Sequence, residues 1–344
     1  MQTVRLGIAG LGKRATTYNL APTFKKIQGL QVAAACDVIP ERASEGAARL
    51  QAQLGGEVAA FSDYDEFINS GLVDALYLAT PNYTHADLAV AACEAGLDVI
   101  TEKPMATTLA DCDRMIDAAQ KHGRVLAVCQ QMNYRKRYHK VTELIDAGKI
   151  GEPAMLSCVE YRCPFADTKT WVWQKAKSGG AIVEKNCHHY GLLDVWAKGK
   201  PTRVFATGGQ KAITEMCGIK SEVIDNAYVT CDYDSGARSL VGICFLSTKG
   251  NHLREFVVMG TKGRIWFNHD DGETIHFVNT HTGEAEDFCI NEDARGGPFQ
   301  DFVDCVRNRT EPLVTGALAR ASLIVPIAAQ QSMETGLPVD VSKW

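Results

Sequence analysis

The chain has 344 residues, 46% of them apolar, and a formal net charge of −5. It is too apolar for a disordered protein and long enough for two cores. Acids and bases are interspersed along it with no basic tract, which argues against a nucleic-acid or anionic-membrane surface.

In chain order, residues 1–130 alternate short β-branched runs with helical patterns. Val4–Ala9, Val32–Cys36, Ala75–Ala79, Asp98–Thr101 and Arg124–Cys129 are predicted as buried parallel strands. Ala15–Gln28, Pro40–Leu54, Asp63–Ser70, Ala86–Ala95 and Leu109–Lys121 are predicted as the helices between them. This rhythm specifies a Rossmann-type, doubly wound parallel sheet with right-handed crossovers. After residue 150 the pattern changes: a helix over Ile182–Trp196 precedes longer alternating strands at Arg203–Gly208, Asn226–Tyr233, Ala237–Phe245, Leu253–Gly260 and Arg264–Phe267. Helices at Gly297–Arg307 and Gly316–Thr335 end the chain. The expectation is a Rossmann domain over 1–130 and an α+β domain over 131–344 with a large, mostly antiparallel open sheet. Val229, Leu240, Ile243 and Phe245 are expected on the uncovered face, buried against another copy in a homodimer or homotetramer.

The twelve cysteines form no CxxC pair, and several sit in apolar runs, as Cys36 and Cys129 do. The start of the sequence does not read as a signal peptide, and no apolar run reaches membrane-span length. Reduced thiols and a cytoplasmic location are therefore expected.

The first strand runs into Gly10-Leu-Gly12-Lys13-Arg14-Ala15. Gly10 permits the tight turn, Gly12 lets a pyrophosphate approach the backbone, and Ala15 keeps the helix close to the strand. The helix start offers free N–H groups to phosphate, where Lys13 and Arg14 add charge. The second strand ends at Asp37, where a carboxylate can accept ribose hydroxyls and repel a 2′-phosphate. NAD is the expected cofactor, with nearby Arg42 keeping NADP as the alternative.

Ala79-Thr80-Pro81-Asn82 with His85, then Glu102-Lys103-Pro104, and later Trp173…Gly179-Gly180…Glu184-Lys-Asn-Cys-His188, resemble the Gfo/Idh/MocA family of glucose–fructose oxidoreductases and inositol dehydrogenases. The resemblance spans nearly the whole chain. It implies hydride transfer between nicotinamide and a carbinol carbon of a sugar or polyol. It casts Lys103 as the group that stabilises the substrate oxygen and His188 as the proton acceptor. Glu184 stands where the family has Asp, four residues before the histidine on one helix face, and Gly191 replaces a second Asp. Lys103 also follows a parallel strand at its carboxyl end, where α/β sheets place ligands. Thr80, Pro81, Asn82, His85 and Glu102 are expected to flank the cofactor. Asn133, Arg135, Arg162, Trp173 and His189 are candidate substrate contacts, with Arg162 or Lys169 suited to an anionic group.

Three other readings compete. Some relatives oxidise transiently, eliminate and reduce back, which gives net glycoside cleavage with NAD retained. A zinc site could use Glu184, Cys187 and His188, but no fourth ligand has fitting spacing, so no metal is expected. An NAD-linked sensor without turnover would not need both Lys103 and His188.

Overall fold

The computed structural model describes residues 3–12, 20–165, 169–268, 274–291 and 297–344. The chain divides into two compact units. One takes Met1–Gln131 with Ala294–Arg320, the other Met132–Asp293 with Ala321–Trp344. The first cut falls beside the expected one. The second was not foreseen: the segment Ala294–Arg320 belongs with the N-terminal unit rather than with 131–344.

The first unit holds a six-stranded sheet of β1 (Val4–Ala9), β2 (Leu30–Cys36), β3 (Ala59–Phe61), β4 (Ala75–Leu78), β5 (Asp98–Thr101) and β6 (Leu126–Val128). The spatial order is β3-β2-β1-β4-β5-β6, and every pairing is parallel. The order reverses between β1 and β4, which opens a crevice at the strands' carboxyl ends. Its helices are α1 (Leu20–Phe24), α2 (Pro40–Leu54), α3 (Tyr64–Ile68), α4 (His85–Glu94) and α5 (Leu109–Lys121). All four residues of β4 and of β5 are buried, as helices on both faces require. The Thr108 side chain caps α5 by accepting the Asp111 N–H at 3.1 Å, so a hydroxyl satisfies one of the helix's orphan amides.

In the second unit, α6 (Lys136–Asp146), α7 (Lys175–Ser178) and α8 (Ala181–Trp196) accompany a nine-stranded sheet. Its strands are β7 (Pro153–Tyr161), β8 (Pro201–Gly209), β11 (Asn226–Tyr233), β12 (Arg238–Cys244), β13 (Leu253–Gly260), β14 (Gly263–Asn268), β15 (Thr274–Asn279), β16 (Ala285–Cys289) and β17 (Val339–Asp340). A separate hairpin pairs β9 (Glu215–Met216) with β10 (Ile219–Lys220). The large sheet is ordered β16-β15-β14-β13-β7-β12-β11-β8-β17, and only the β7–β12 pairing within it is parallel.

Among the described residues, α9 (Gly297–Asn308) packs against the Rossmann sheet, where Phe299 meets Tyr77 and Phe24 edge-on with ring centroids 5.0 Å apart. That contact explains why this late segment joins the first unit. The last helix, α10 (Gly316–Thr335), is divided between the units after Arg320. The core of the second unit gathers Tyr138 of α6, Trp196 of α8, and Phe256 and Phe267 of neighbouring strands.

The expected uncovered face needs correction. Val229, Ile243 and Phe245 are buried in this core, because alternation along β11 and β12 turns them inward. Leu240 does face out, together with Met155, Phe205 and Tyr228. None of the twelve cysteines is in a disulfide. Among the described residues, no helix is long and apolar enough to cross a membrane.

Candidate active site

In the Rossmann unit the site begins where β1 ends. Gly10 has φ 91°, and a Cβ there would lie 2.8 Å from the Ala79 carbonyl carbon and the Thr80 nitrogen. Both the backbone conformation and the neighbouring chain exclude any side chain. Among the described residues, a Cβ on Gly12 would meet nothing within 4 Å. Asp37, one residue past β2, braces this turn: its Oδ2 accepts the Leu11 N–H at 2.9 Å and its Oδ1 the Ile39 N–H at 3.0 Å. The expected ribose acceptor is thus also the anchor of the glycine loop. A tight glycine turn beside a fixed carboxylate fits the pyrophosphate and ribose of a dinucleotide. Lys13 and Arg14 lie outside the described residues.

Thr80, Pro81 and Asn82 follow β4 at its carboxyl end. The Thr84 hydroxyl donates to the Pro81 carbonyl at 2.8 Å and lies 2.8 Å from Thr80 Oγ1. Two of the expected cofactor contacts do other work. His85 is fully buried, with Nδ1 3.0 Å from the Pro104 carbonyl oxygen and Nε2 3.0 Å from that of Thr80. Burial pushes its pKa below the usual histidine value, against the pull of these carbonyls. His85 therefore ties the loop after β4 to the segment after β5, and no face of it is open to a cofactor. Glu102 is nearly as enclosed, and the Tyr77 hydroxyl donates to its Oε1 at 2.7 Å. Lys103 stays partly exposed at the end of β5, and its peptide bond to Pro104 is cis.

In the second unit, Gly179 (φ 82°) and Gly180 (φ 85°) lead into α8. Of the ten residues Ala181–Tyr190, only Glu184, Lys185 and His188 reach solvent. Their spacing of i, i+1 and i+4 puts them on one face of an otherwise buried helix. The structure thus brings together the acid and the histidine singled out by sequence and adds Lys185, which helical periodicity alone could have flagged.

Cys187 is fully buried off that face. Among the described residues, no group of three His, Cys, Asp or Glu side chains is arranged to hold a metal. His189 is not a substrate contact: it is fully buried, with Nδ1 2.9 Å from Asn186 Nδ2 and Nε2 3.0 Å from Glu160 Oε2. Trp173 is likewise packed in the core, its ring centroid 5.7 Å from that of Phe165, so it offers no stacking platform. Arg162 does reach solvent just past β7, with Nη1 3.9 Å from Glu160 Oε1. Asn133 sits in a short turn before α6 and Arg135 is exposed at the start of that helix, both on an element separate from α8.

The model of an oxidoreductase family with an NAD-binding Rossmann fold matches residues 4–130, and that of the GFO/IDH/MocA C-terminal domain matches residues 138–266. Myo-inositol 2-dehydrogenase of Thermotoga maritima is 26% identical over 336 residues, covering 96% of each chain. A 2,7-anhydro-N-acetylneuraminate hydratase of Mediterraneibacter gnavus is 27% identical over 308 residues, covering 83% of this chain and 75% of its own. The structure of a levoglucosan dehydrogenase in complex with NADH shares the fold over 100% of both chains, with a TM-score of 0.84 and 21% identity. Matching models on both units and full-length relatives place this NAD-binding oxidoreductase in the Gfo/Idh/MocA family.

Proposed function

We propose that this protein is a cytoplasmic, homo-oligomeric dehydrogenase that oxidises a carbinol of a sugar, polyol or derivative with NAD. The observation that carries this reading is the single polar face of α8, where Glu184 stands one helical turn ahead of His188. NAD, when bound, supplies the hydride acceptor. Asp37 holds the ribose hydroxyls and disfavours a 2′-phosphate, so NAD is preferred to NADP. The backbone at Gly10 and Gly12, with Lys13 and Arg14, receives the pyrophosphate. Thr80, Pro81 and Asn82 line the approach to the nicotinamide end.

The Lys103 ammonium donates a hydrogen bond to the reacting hydroxyl oxygen and stabilises negative charge on it as hydride leaves carbon. His188 takes the hydroxyl proton, and Glu184 orients the ring and stabilises its charged form. Asn133, Arg135 and Arg162 are the remaining substrate contacts in this reading. The myo-inositol dehydrogenase relative supports a polyol as substrate. That none of the twelve cysteines is in a disulfide supports a reducing compartment.

Lys103→Met should lower kcat by about 10²-fold or more while the NAD dissociation constant stays within a few-fold. Stopped-flow NADH formation and NAD titration of the same preparation measure both. Undiminished turnover in that variant would remove Lys103 from the chemistry.

A second reading is favoured by the hydratase relative. There NAD stays bound, and oxidation, elimination or hydration, and re-reduction leave no net NADH. Copurifying NAD with product formed and no absorbance gain at the NADH band would select it.

A further inference from the structure

Glu184 and His188 form an i, i+4 pair on the open face of α8. One residue on, Lys185 and His189 form a second pair at the same spacing, and both reach one buried carboxylate of β7. Lys185 Nζ lies 3.1 Å from Glu160 Oε1, and His189 Nε2 lies 3.0 Å from Oε2. Arg254 of β13 also reaches Oε1, at 3.3 Å. Glu160 thus holds α8 at two points, one for each oxygen, about 6 Å apart along the helix axis. Two such points resist both rotation of the helix and sliding along it.

The protonation states fit this hold. Burial raises the Glu160 pKa, but Lys185, His189 and Arg254 outweigh it and keep the carboxyl well below its usual range. Burial keeps His189 below the usual histidine value, so the ring is neutral at neutral pH and has a single N–H. The ionised carboxylate claims that N–H at Nε2. The lone pair is left on Nδ1, which accepts from Asn186 Nδ2 at 2.9 Å. Asn186 and His189 are fully buried and Glu160 is 1% exposed, so water does not compete for these contacts.

Apolar packing alone does not choose the open face of α8. Ile182, Val183, Tyr190 and Leu193 are buried on one side, while Ala181 and Leu192, in line with the open face, are buried as well. A helix that is apolar on most sides has little preference for the face it turns outward, and a buried polar contact supplies one.

We propose that His189 and Glu160 are positioning residues, which set the rotation of α8 and so the placement of His188 against the substrate hydroxyl. The inference rests on the dehydrogenase reading for what His188 does, but the hold on the helix is tested separately.

The full-length protein with NAD is assayed on myo-inositol, D-glucose and D-glucuronate, in the parent form and as His189→Leu and His189→Gln. His189→Leu removes one point of the hold and leaves Lys185 and Arg254 on Glu160. Its kcat should fall by about 10–100-fold while KM and the NAD dissociation constant stay within a few-fold, because the proton acceptor is displaced and binding is not. His189→Gln offers an amide N–H near the place of Nε2 and should restore part of the lost kcat. Carbethoxylation of His188 by diethyl pyrocarbonate, followed by peptide mapping, reads the same change without turnover. Its rate should rise about threefold or more in His189→Leu, as the loosened helix exposes the ring, and return toward the parent rate in His189→Gln.

Undiminished kcat in His189→Leu, or an equal loss in His189→Gln, overturns the proposal and leaves the dehydrogenase standing. So does a lower thermal midpoint with kcat and carbethoxylation both unchanged, which would make the contact structural only. If the parent protein oxidises none of the three sugars, the dehydrogenase reading loses its support, and the carbethoxylation rates alone uphold or overturn the hold on α8. If His189→Leu fails to fold, Glu160→Asp, which keeps the charge and shortens its reach, should show the same faster carbethoxylation; an unchanged rate there overturns the proposal.

Discussion

Asp37 illustrates how one side chain can serve recognition and architecture together. Its carboxylate accepts N–H groups from Leu11 and Ile39, so it fixes the glycine turn before any cofactor arrives. Each buried amide left without a partner costs about 1–3 kcal/mol. Asp37→Ala should therefore lower the thermal midpoint of the apoprotein as well as weaken NAD binding by roughly 10–100-fold, since both hydrogen-bond sets vanish together. Calorimetric scans without cofactor, paired with NAD titration, check this; an unaltered apoprotein midpoint would mean the carboxylate serves the ligand alone. Sequence spacing identified Asp37 but not its second role, because a bracing hydrogen bond depends on where Leu11 folds. His85 and Glu102 mislead for the same reason. Their motif is legible, while their burial against Pro104, Thr80 and Tyr77 is a tertiary fact.

At the scale of elements, α8 concentrates the chemistry of the second unit and depends on its entry. Gly180 has φ 85°, and a Cβ there would press on the Gln330 amide, whose Nε2 donates to the Gly179 carbonyl. Gly180→Ala should cost about 1–2 kcal/mol from the left-handed backbone alone, with the displaced glutamine adding to it. Urea unfolding at constant m-value reads that loss.

The far end of α8 carries a different liability. Burial pushes the Asp194 carboxyl up to about 8, and the Tyr233 hydroxyl, donating at 2.9 Å, only partly opposes this. A carboxyl raised on folding is protonated in the native state and ionised in the unfolded chain between the ordinary carboxylate range and about 8. Folding takes up a proton in that window, so this stability is full below it and is lost as pH rises through it. Asp194→Asn should flatten the decline: the fall in thermal midpoint from pH 5 to pH 8 should be smaller than in the parent protein. A decline of the same size would show that Asp194 is ionised in the native state.

Strands that alternate cleanly, such as β11 and β12, were readable to within a residue or two. β7 was not, because its alternation is inverted at both ends. Met155 points to solvent and Glu160 points into the core, the reverse of what pattern reading expects. Glu160 is held inside by ion pairs to Lys185 of α8 and Arg254 of β13, tertiary contacts that the pattern of a single strand does not reveal.

For the molecule as a whole, the outward face of the nine-stranded sheet is what remains to be accounted for. Leu240 and Phe205 flank Thr230 across three adjacent strands, and Met155 and Tyr228 extend the patch, with exposures of 36–65%. Large apolar side chains clustered on one sheet face are costly in water, and a symmetric dimer can cover such a face with a second copy of itself. A stable interface of this kind buries roughly 800 Å² per partner. Sedimentation velocity on the wild-type protein should therefore show a dimer or tetramer at micromolar concentration. Placing a carboxylate at each flank of Thr230, in Phe205→Glu with Leu240→Glu, sets like charges against each other across a two-fold contact and should shift the population to monomer. Both side chains leave the sheet rather than enter its core, so the far-UV spectrum and the NAD affinity of the Rossmann unit should survive the change. A wild-type monomer, or a dimer indifferent to both carboxylates, would mean that some other surface or none joins the subunits.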